Sequence, residues 1–430
     1  MKKARCILLL LLACALCGCT EKGALPGRRV SRVLLAYMAA DNNLAQDALR
    51  NLEAMAEGLK GCTADARVIA YLDTPGENPR LLEITAAGQQ TLATYPEPQN
   101  SASAGVLRGV IEQVCRTCPA DRYGLVLSSH GMAWVHSSAT GYFVRSYGRT
   151  EERWPATKYF GQDTGVSPAG YIEADELAGA IPDGRFDYIL FDACFMASAE
   201  VLYALRDKAA YIVSSPAEVI TDGFPYAELI GELLADEPDL ERVCRTYYEH
   251  YALDSRPEYR AATVSLTDCS QLEALADATR SVYAAAAAND PAALSGFNTG
   301  AVQPLDRYRR HFLFDMGSVV SHLENTGAVP AGIAGTWRAQ LARTVVAEYH
   351  TPSFFGLRLD ACCGLSTYIP VDAYPDLNDY YRTLEWYGRA VSGFRTAPRQ
   401  DGAQPAGTSP AGAGRSANTR QKNGTEKSAS

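Results

Sequence analysis

Two side chains of this sequence, His130 and Cys194, are of the types that carry nucleophilic catalysis together. A thiol attacks effectively when an imidazole activates it, and the same imidazole can then protonate a leaving amine. His130 stands in Ser128-Ser129-His130-Gly131, after an apolar run at 124–127. Cys194 stands in Asp192-Ala193-Cys194-Phe195-Met196, after an apolar run at 188–191. A glycine directly after the histidine lets its backbone N–H approach an oxyanion, and the N–H of Cys194 is a natural second donor, which makes Gly131 and Cys194 the expected oxyanion pair. The competing reading of the two residues is bland: a buried cysteine that fills space and a histidine that serves as a polar surface group.

Asp192 bears on specificity. Residues two apart on a strand point to one face, so its carboxylate is expected near the thiol. A negative charge there opposes thiolate formation, a poor arrangement unless the acid recognises a basic side chain of the substrate. The alternative is a capping aspartate in a strand-to-helix turn. A helix read from about 196 to 205 would also place Cys194 before a helix N-terminus, where the dipole favours thiolate.

Such residues need a scaffold that brings strand ends together. Short apolar runs at 33–39, 68–72, 124–127, 188–191 and 210–213 alternate with helical patterns at 44–59, 104–115, 174–181 and 196–205. Strands buried on both faces and separated by helices predict an open, mostly parallel α/β sheet whose loops converge at its carboxyl edge. Beyond about 252 the rhythm changes. A strand at 261–266 is followed by an alanine-rich helix through Ala287, helices at 316–323 and 334–346, a strand at 366–370 and an aromatic helix near 380–391. This portion is either a subdomain packed on the sheet or an extension of it. Residues 137–170 form a long insertion rich in Tyr, Arg and Gly, and loops of this length in a compact domain are usually functional or mobile. Residues 396–430 lack large apolar side chains and are expected to be disordered.

Composition narrows the function classes. A 430-residue chain that is 47% hydrophobic and 21% charged can bury a large core. Its net charge of −9, with no basic run longer than a pair such as Arg28-Arg29, argues against nucleic acid as a partner. The apolar run at 6–16 is too short to span a bilayer. After the basic Lys2, Lys3 and Arg5 it reads as an export signal, and Leu16-Cys17-Gly18-Cys19 resembles a bacterial lipobox whose last cysteine is lipidated. Cys19 is therefore the expected anchor of an exported lipoprotein in the cell envelope. The remaining cysteines have irregular spacing, unlike a disulfide scaffold. Cys115 and Cys118 close a helix, whereas a redox thiol wants a helix N-terminus. No zinc spacing of the usual kind is present, and the six histidines are scattered, so no metal ligand is assigned. Asp41-Asn42-Asn43 lacks the glycine and distal glutamate of a calcium loop and reads as a turn and helix cap. There is no Gly-x-Ser-x-Gly elbow, phosphate-binding loop or His-Glu-x-x-His motif.

Ser129-His130-Gly131, Phe191-Asp192-Ala193-Cys194-Phe195-Met196 and the early Tyr37-Met38-Ala39-Ala40-Asp41-Asn42-Asn43-Leu44 together resemble the clostripain family of cysteine peptidases, relatives of caspases and gingipains. The likeness covers residues 33–227 and extends more weakly to Phe394. It implies a caspase-like α/β fold, a mostly parallel sheet flanked by helices with a mixed C-terminal subdomain, and cleavage of proteins or peptides after Arg or Lys. On this resemblance His130 and Cys194 form the dyad, Gly131 is an oxyanion donor and Asp192 accepts the basic side chain. Asp222, in Thr221-Asp222-Gly223-Phe224-Pro225-Tyr226, lies where a second specificity acid would sit. The sequence itself requires no cofactor; some clostripain relatives use calcium, and nothing here locates a site for it. The resulting organisation is a lipoprotein signal at 1–18, a linker at 19–32, a peptidase core at 33–252 containing the inserted loop, a C-terminal α/β subdomain at 253–395 and a tail at 396–430. An enzyme selective for basic residues would meet Arg145, Arg149, Arg153 and Lys158 in its own insertion, which makes self-processing there an expectation. The competing class is a non-catalytic surface lipoprotein of the same fold that binds peptides or glycans.

Overall fold

The computed structural model describes residues 27–136, 172–308, 310–371 and 374–392. The leader, Cys19, the tail and the four basic residues of the insertion lie outside them. At its centre β1 (Val30–Ala39) is buried along nearly its whole length. Its alternate residues serve two layers: Val33, Leu35 and Tyr37 join one apolar core, Leu34, Ala36 and Met38 the other. A strand buried on both faces needs such an unbroken apolar run.

The nine-stranded sheet has the order β9-β8-β7-β6-β5-β1-β2-β3-β4. β2 (Ala66–Asp73), β5 (Ala120–Ser128), β6 (Phe186–Asp192) and β7 (Ala209–Ser214) lie parallel around β1. The chain builds to one side of β1 through β2 and to the other through β5, so the strand order reverses between β1 and β5. In open α/β sheets, ligand crevices form at the carboxyl ends of strands at such a reversal. α1 (Ala45–Gly58), α5 (Tyr226–Leu233) and α6 (Leu240–Ala252) pack on one face; α2 (Ala104–Thr117), α3 (Ala174–Ala180) and α4 (Ala199–Ala204) pack on the other.

Four features were missed, bounded differently or left open in the sequence reading. A hairpin of β3 (Arg80–Thr85) and β4 (Gly88–Thr94) extends the sheet beyond β2. β4 carries Gln89, Gln90 and Thr91 on exposed positions and has no apolar run to announce it. On the far side, β8 (Thr263–Asp268) and β9 (Val345–His350) continue the same sheet antiparallel to β7 and to each other. Part of the segment beyond 252 is thus an extension of the sheet, with α7 (Leu272–Asn289), α8 (Met316–Asn325) and α9 (Ala331–Thr344) belonging to the α2 layer. The helix expected to run to 346 stops at Thr344, where the β-branched Val345 and Val346 begin the edge strand. Residues 366–370 supply only the two-residue pair Ser366–Thr367, bonded to Phe314–Asp315 outside the main sheet.

Candidate active site

The final register pair of β5 and β6 is Ser128 with Asp192. Two residues further along each strand stand His130 and Cys194, so the pairing carries both reactive groups to neighbouring positions at the carboxyl edge. Gly131 closes the approach. A Cβ built on it would lie 2.3 Å from the carbonyl oxygen and 3.1 Å from the nitrogen of Cys194. Only glycine allows the backbone after His130 to rest against the backbone of Cys194.

His130 is buried, and its Nε2 lies 2.8 Å from Oδ1 of Asn43. An amide oxygen only accepts, so in this contact Nε2–H donates. Asn43 follows β1 and His130 follows β5, so this bond spans the point where the strand order reverses. Its neighbour Asn42 makes the turn: its Oδ1 accepts from the N–H of Leu44 at 2.8 Å, and its amide donates to the carbonyl of Ala39 at 3.2 Å. The turn reading of this segment is correct for Asn42, but the helix-cap reading is not, since the N-cap of the helix starting at Ala45 is Leu44 with no side-chain cap bond; the role of Asn43 had no local sequence signal.

Cys194 is fully buried. The N–H of Val219 donates to its sulfur at 3.1 Å, and the thiol faces the carbonyl of Val219 at 3.6 Å. The helix dipole expected from sequence does not reach the sulfur, because α4 begins only at Ala199 and is capped by the Ser198 side chain. The intervening turn includes Phe195, whose φ of 63° is left-handed and uncommon for a bulky residue. Such a conformation costs of order 1–3 kcal/mol and persists only where its surroundings enforce it. Here the Phe195 N–H donates to Ala217 at 2.7 Å, and its ring packs against Tyr308 and Phe312.

Asp192 is also fully buried. Its Oδ2 accepts from the hydroxyls of Tyr226 at 3.1 Å and Ser128 at 3.3 Å, with the Asn51 amide at 3.5 Å. The capping alternative fails, since Ser198 performs that task. Burial, and after it the Asp192 carboxylate, push the Tyr226 phenol well above its usual range. The Tyr247 phenol is raised by burial and then by the charges of Asp192 and Cys194. Gly223 lies directly over the carboxylate: a Cβ there would be 2.6 Å from Oδ2, and its φ of 74° independently calls for glycine. Asp222, the residue before it, is exposed. Beside His130, on the α2 face, a cavity is lined by Leu107, Leu127, Met132, Ile172 and Leu177. Ser128, Asn43, Asn51, Val219 and Tyr226 are the site residues that sequence reasoning did not assign. The structure shows no disulfide among the eight described cysteines.

A caspase-like sheet with an imidazole and a thiol at adjoining strand ends is the architecture of a class of cysteine peptidases. A family model described as the clostripain family matches residues 36–350. An inactive zymogen C11 protease from Parabacteroides distasonis superposes with a TM-score of 0.71 at 29% identity, covering 84% of this chain and 98% of that one. A secreted C11 cysteine protease from Bacteroides thetaiotaomicron superposes with a TM-score of 0.70 at 25% identity, covering 85% and 100%. A secreted protease of the same organism, in complex with an irreversible peptide inhibitor, gives 0.68 at 27% identity, covering 84% and 99%. No curated protein matches the sequence. The chain belongs to the clostripain family, and it is a cysteine peptidase.

Proposed function

We propose that the protein is an exported, lipid-anchored endopeptidase that cuts after Arg or Lys, with Cys194 as nucleophile and His130 as its acid-base partner. The observation that carries this reading is the β5–β6 register, which sets His130 and Cys194 side by side with Gly131 against the Cys194 backbone. In the reaction Cys194 Sγ adds to the scissile carbonyl carbon, and the oxyanion is held by the N–H groups of Gly131 and Cys194. His130, oriented through Asn43, takes the thiol proton and gives it to the leaving amine as the C–N bond breaks; water, deprotonated by His130, then attacks the thioester, and the proton returns to the sulfur as the acid leaves. Asp192 receives the basic side chain. Its burial among hydroxyl and amide donors makes it a strong charge partner once a guanidinium or ammonium enters, and entry requires the segment around Gly223 to move aside. Asp222 assists from the exposed side. The apolar cavity beside His130 suits an uncharged side chain next to the scissile bond.

Export and a Cys19 anchor are supported by the lipobox-like sequence, and the related secreted proteases are consistent with export. Processing at Arg145, Arg149, Arg153 or Lys158 is part of the same reading. Purified protein assayed on matched peptides with Arg, Lys or Asp before the cut tests the specificity. Cleavage of the first two is expected, abolished in Cys194→Ala and His130→Ala without loss of thermal stability. Cleavage of the Asp peptide, or full activity of Cys194→Ala, would overturn it. A Cys19→Ser protein that still partitions into detergent and incorporates labelled fatty acid would refute the anchor.

A further inference from the structure

A second cluster of reactive groups lies at the edge of the sheet, away from the dyad. Glu348 and His350 are two residues apart on β9 and therefore project to one face. Cys362 comes to them from the loop that follows, so that one ligand atom from each of Glu348, His350 and Cys362 lies within 4.8 Å of the others. Nδ1 of His350 is 2.8 Å from Oε1 of Glu348, and both side chains are about three-quarters buried, 29% and 21% exposed. Zinc takes thiolate, imidazole and carboxylate at about 2.0–2.3 Å, so donors sharing one ion stand roughly 3–4 Å apart. A small inward movement of the Cys362 side chain meets that requirement.

The loop carrying Cys362 is held in place by its own contacts. Ser265 of β8, the register partner of Glu348, donates its hydroxyl to the carbonyl of Gly364 at 2.7 Å. A Cβ on Gly364 would lie 3.0 Å from Ser265 Cβ and 3.2 Å from Glu348 Cγ, and its φ of 86° is left-handed, so the backbone can lie flat on this strand pair only as glycine. The carboxylate of Asp315 accepts from the Cys363 N–H at 2.6 Å.

We propose that Glu348, His350 and Cys362 bind one zinc ion per chain, tying the edge strand β9 to the 359–364 loop. Mixed nitrogen, sulfur and oxygen donors of this kind suit zinc better than calcium or magnesium, which prefer oxygen alone. β7 and β8 stand between this cluster and β6, so the ion acts on stability and on covering the sheet edge and takes no part in peptide cleavage. The family match ends at His350, which leaves Cys362 outside it. The assignment stands or falls independently of the peptidase specificity.

Cobalt(II) is the probe, since thiolate coordination gives an intense near-ultraviolet charge-transfer band. The reduced, chelator-treated full chain is titrated with cobalt and then with zinc. The expected result is a band that saturates at one equivalent, is displaced by zinc, and is absent in Cys362→Ser but retained in Cys363→Ser and Cys194→Ala. His350→Ala and Glu348→Gln, the latter keeping its hydrogen-bonding capacity at an already partly exposed position, should each weaken binding at least tenfold. Zinc should raise Tm in wild type and leave that of Cys362→Ser unchanged. The proposal is overturned if wild type gives no band, which leaves a bare Glu348–His350 ion pair. It is also overturned if the band depends on Cys194 or Cys363, or if the isolated protein carries a Cys362–Cys363 disulfide and, once reduced, takes up no metal.

Discussion

In the proposed mechanism Asn43 acts through His130 and not on the substrate, so its loss should be graded. Asn43→Ala removes the acceptor that fixes the imidazole and is expected to lower kcat roughly 10- to 100-fold with KM little changed. Asn43→Asp restores an acceptor but adds a negative charge, which raises the imidazole pKa and shifts the acid limb of the pH–rate profile upward. A merely structural Asn43 would leave that limb in place. Gly131→Ala forces a methyl into the space of the Cys194 carbonyl, 2.3 Å away. A displacement near 1 Å at reacting groups is worth about a hundredfold in rate, and kcat should fall by at least that much. Asp192→Asn keeps the shape of the buried side chain and deletes its charge; losing a charge-assisted contact of about 1.5–3 kcal/mol should lower kcat/KM on Arg peptides some ten- to a hundredfold. An unchanged Arg preference would restrict Asp192 to a structural part.

Among the elements, the segment between β7 and α5 carries the greatest burden, because it presents Val219 to the thiol and Gly223 to Asp192. Glu218 anchors it. Its side chain is 2% exposed and pairs with Arg307, whose second terminal nitrogen reaches Oε1 at 3.2 Å and whose guanidinium lies over the Phe355 ring. Arg307→Met removes the guanidinium that pairs with this buried carboxylate and should destabilise the protein by about 3–5 kcal/mol. The double variant Glu218→Gln with Arg307→Met should recover most of that loss, since the uncompensated charge is gone. Urea denaturation of the three variants measures both terms. Activity that recovers along with stability in the double variant would assign the pair to scaffolding; activity that stays low would tie the charge itself to the presentation of Val219.

For the whole molecule, the placement of β5 and β6 side by side decides what processing would do. The strands before and after the insertion are adjacent, parallel and buried, so a cut within 137–170 leaves the two fragments joined through the sheet. Processed protein should elute as one species under native conditions and separate on a denaturing gel; fragments that part without denaturant would contradict the topology. Stability should also respond to pH through His311. The hydrogen bond to buried Asp306 raises its pKa above the ordinary 6.5, against the opposing effect of burial. A raised folded-state value means that the contribution is fully present below about pH 6.5 and is lost as pH rises through the elevated value. Thermal midpoints measured from pH 5.5 to 8.5 should fall more steeply for wild type than for His311→Gln.

Local patterning in the sequence was enough for the five parallel strands, for the helices between them, and for setting His130, Gly131, Asp192 and Cys194 at strand ends, because buried strands announce themselves as continuous apolar runs and their carboxyl ends are where loop chemistry gathers. The same patterning is silent on groups that meet across long stretches of chain. Asn43 reaches His130 only because β1 and β5 are neighbours in the sheet, and Val219 reaches Cys194 only because the segment after β7 folds back over β6. β4 was hidden because an exposed edge strand needs no apolar run, and β9 because Val345 and Val346 follow a helix without a break. Glu348, His350 and Cys362 share no recognisable ligand spacing and are brought together by the register of Glu348 on Ser265 and the Ser265 bond to Gly364. Periodicity records which face of an element is buried; which elements then become neighbours follows from sheet order and long-range packing, and that was decided by the tertiary structure alone.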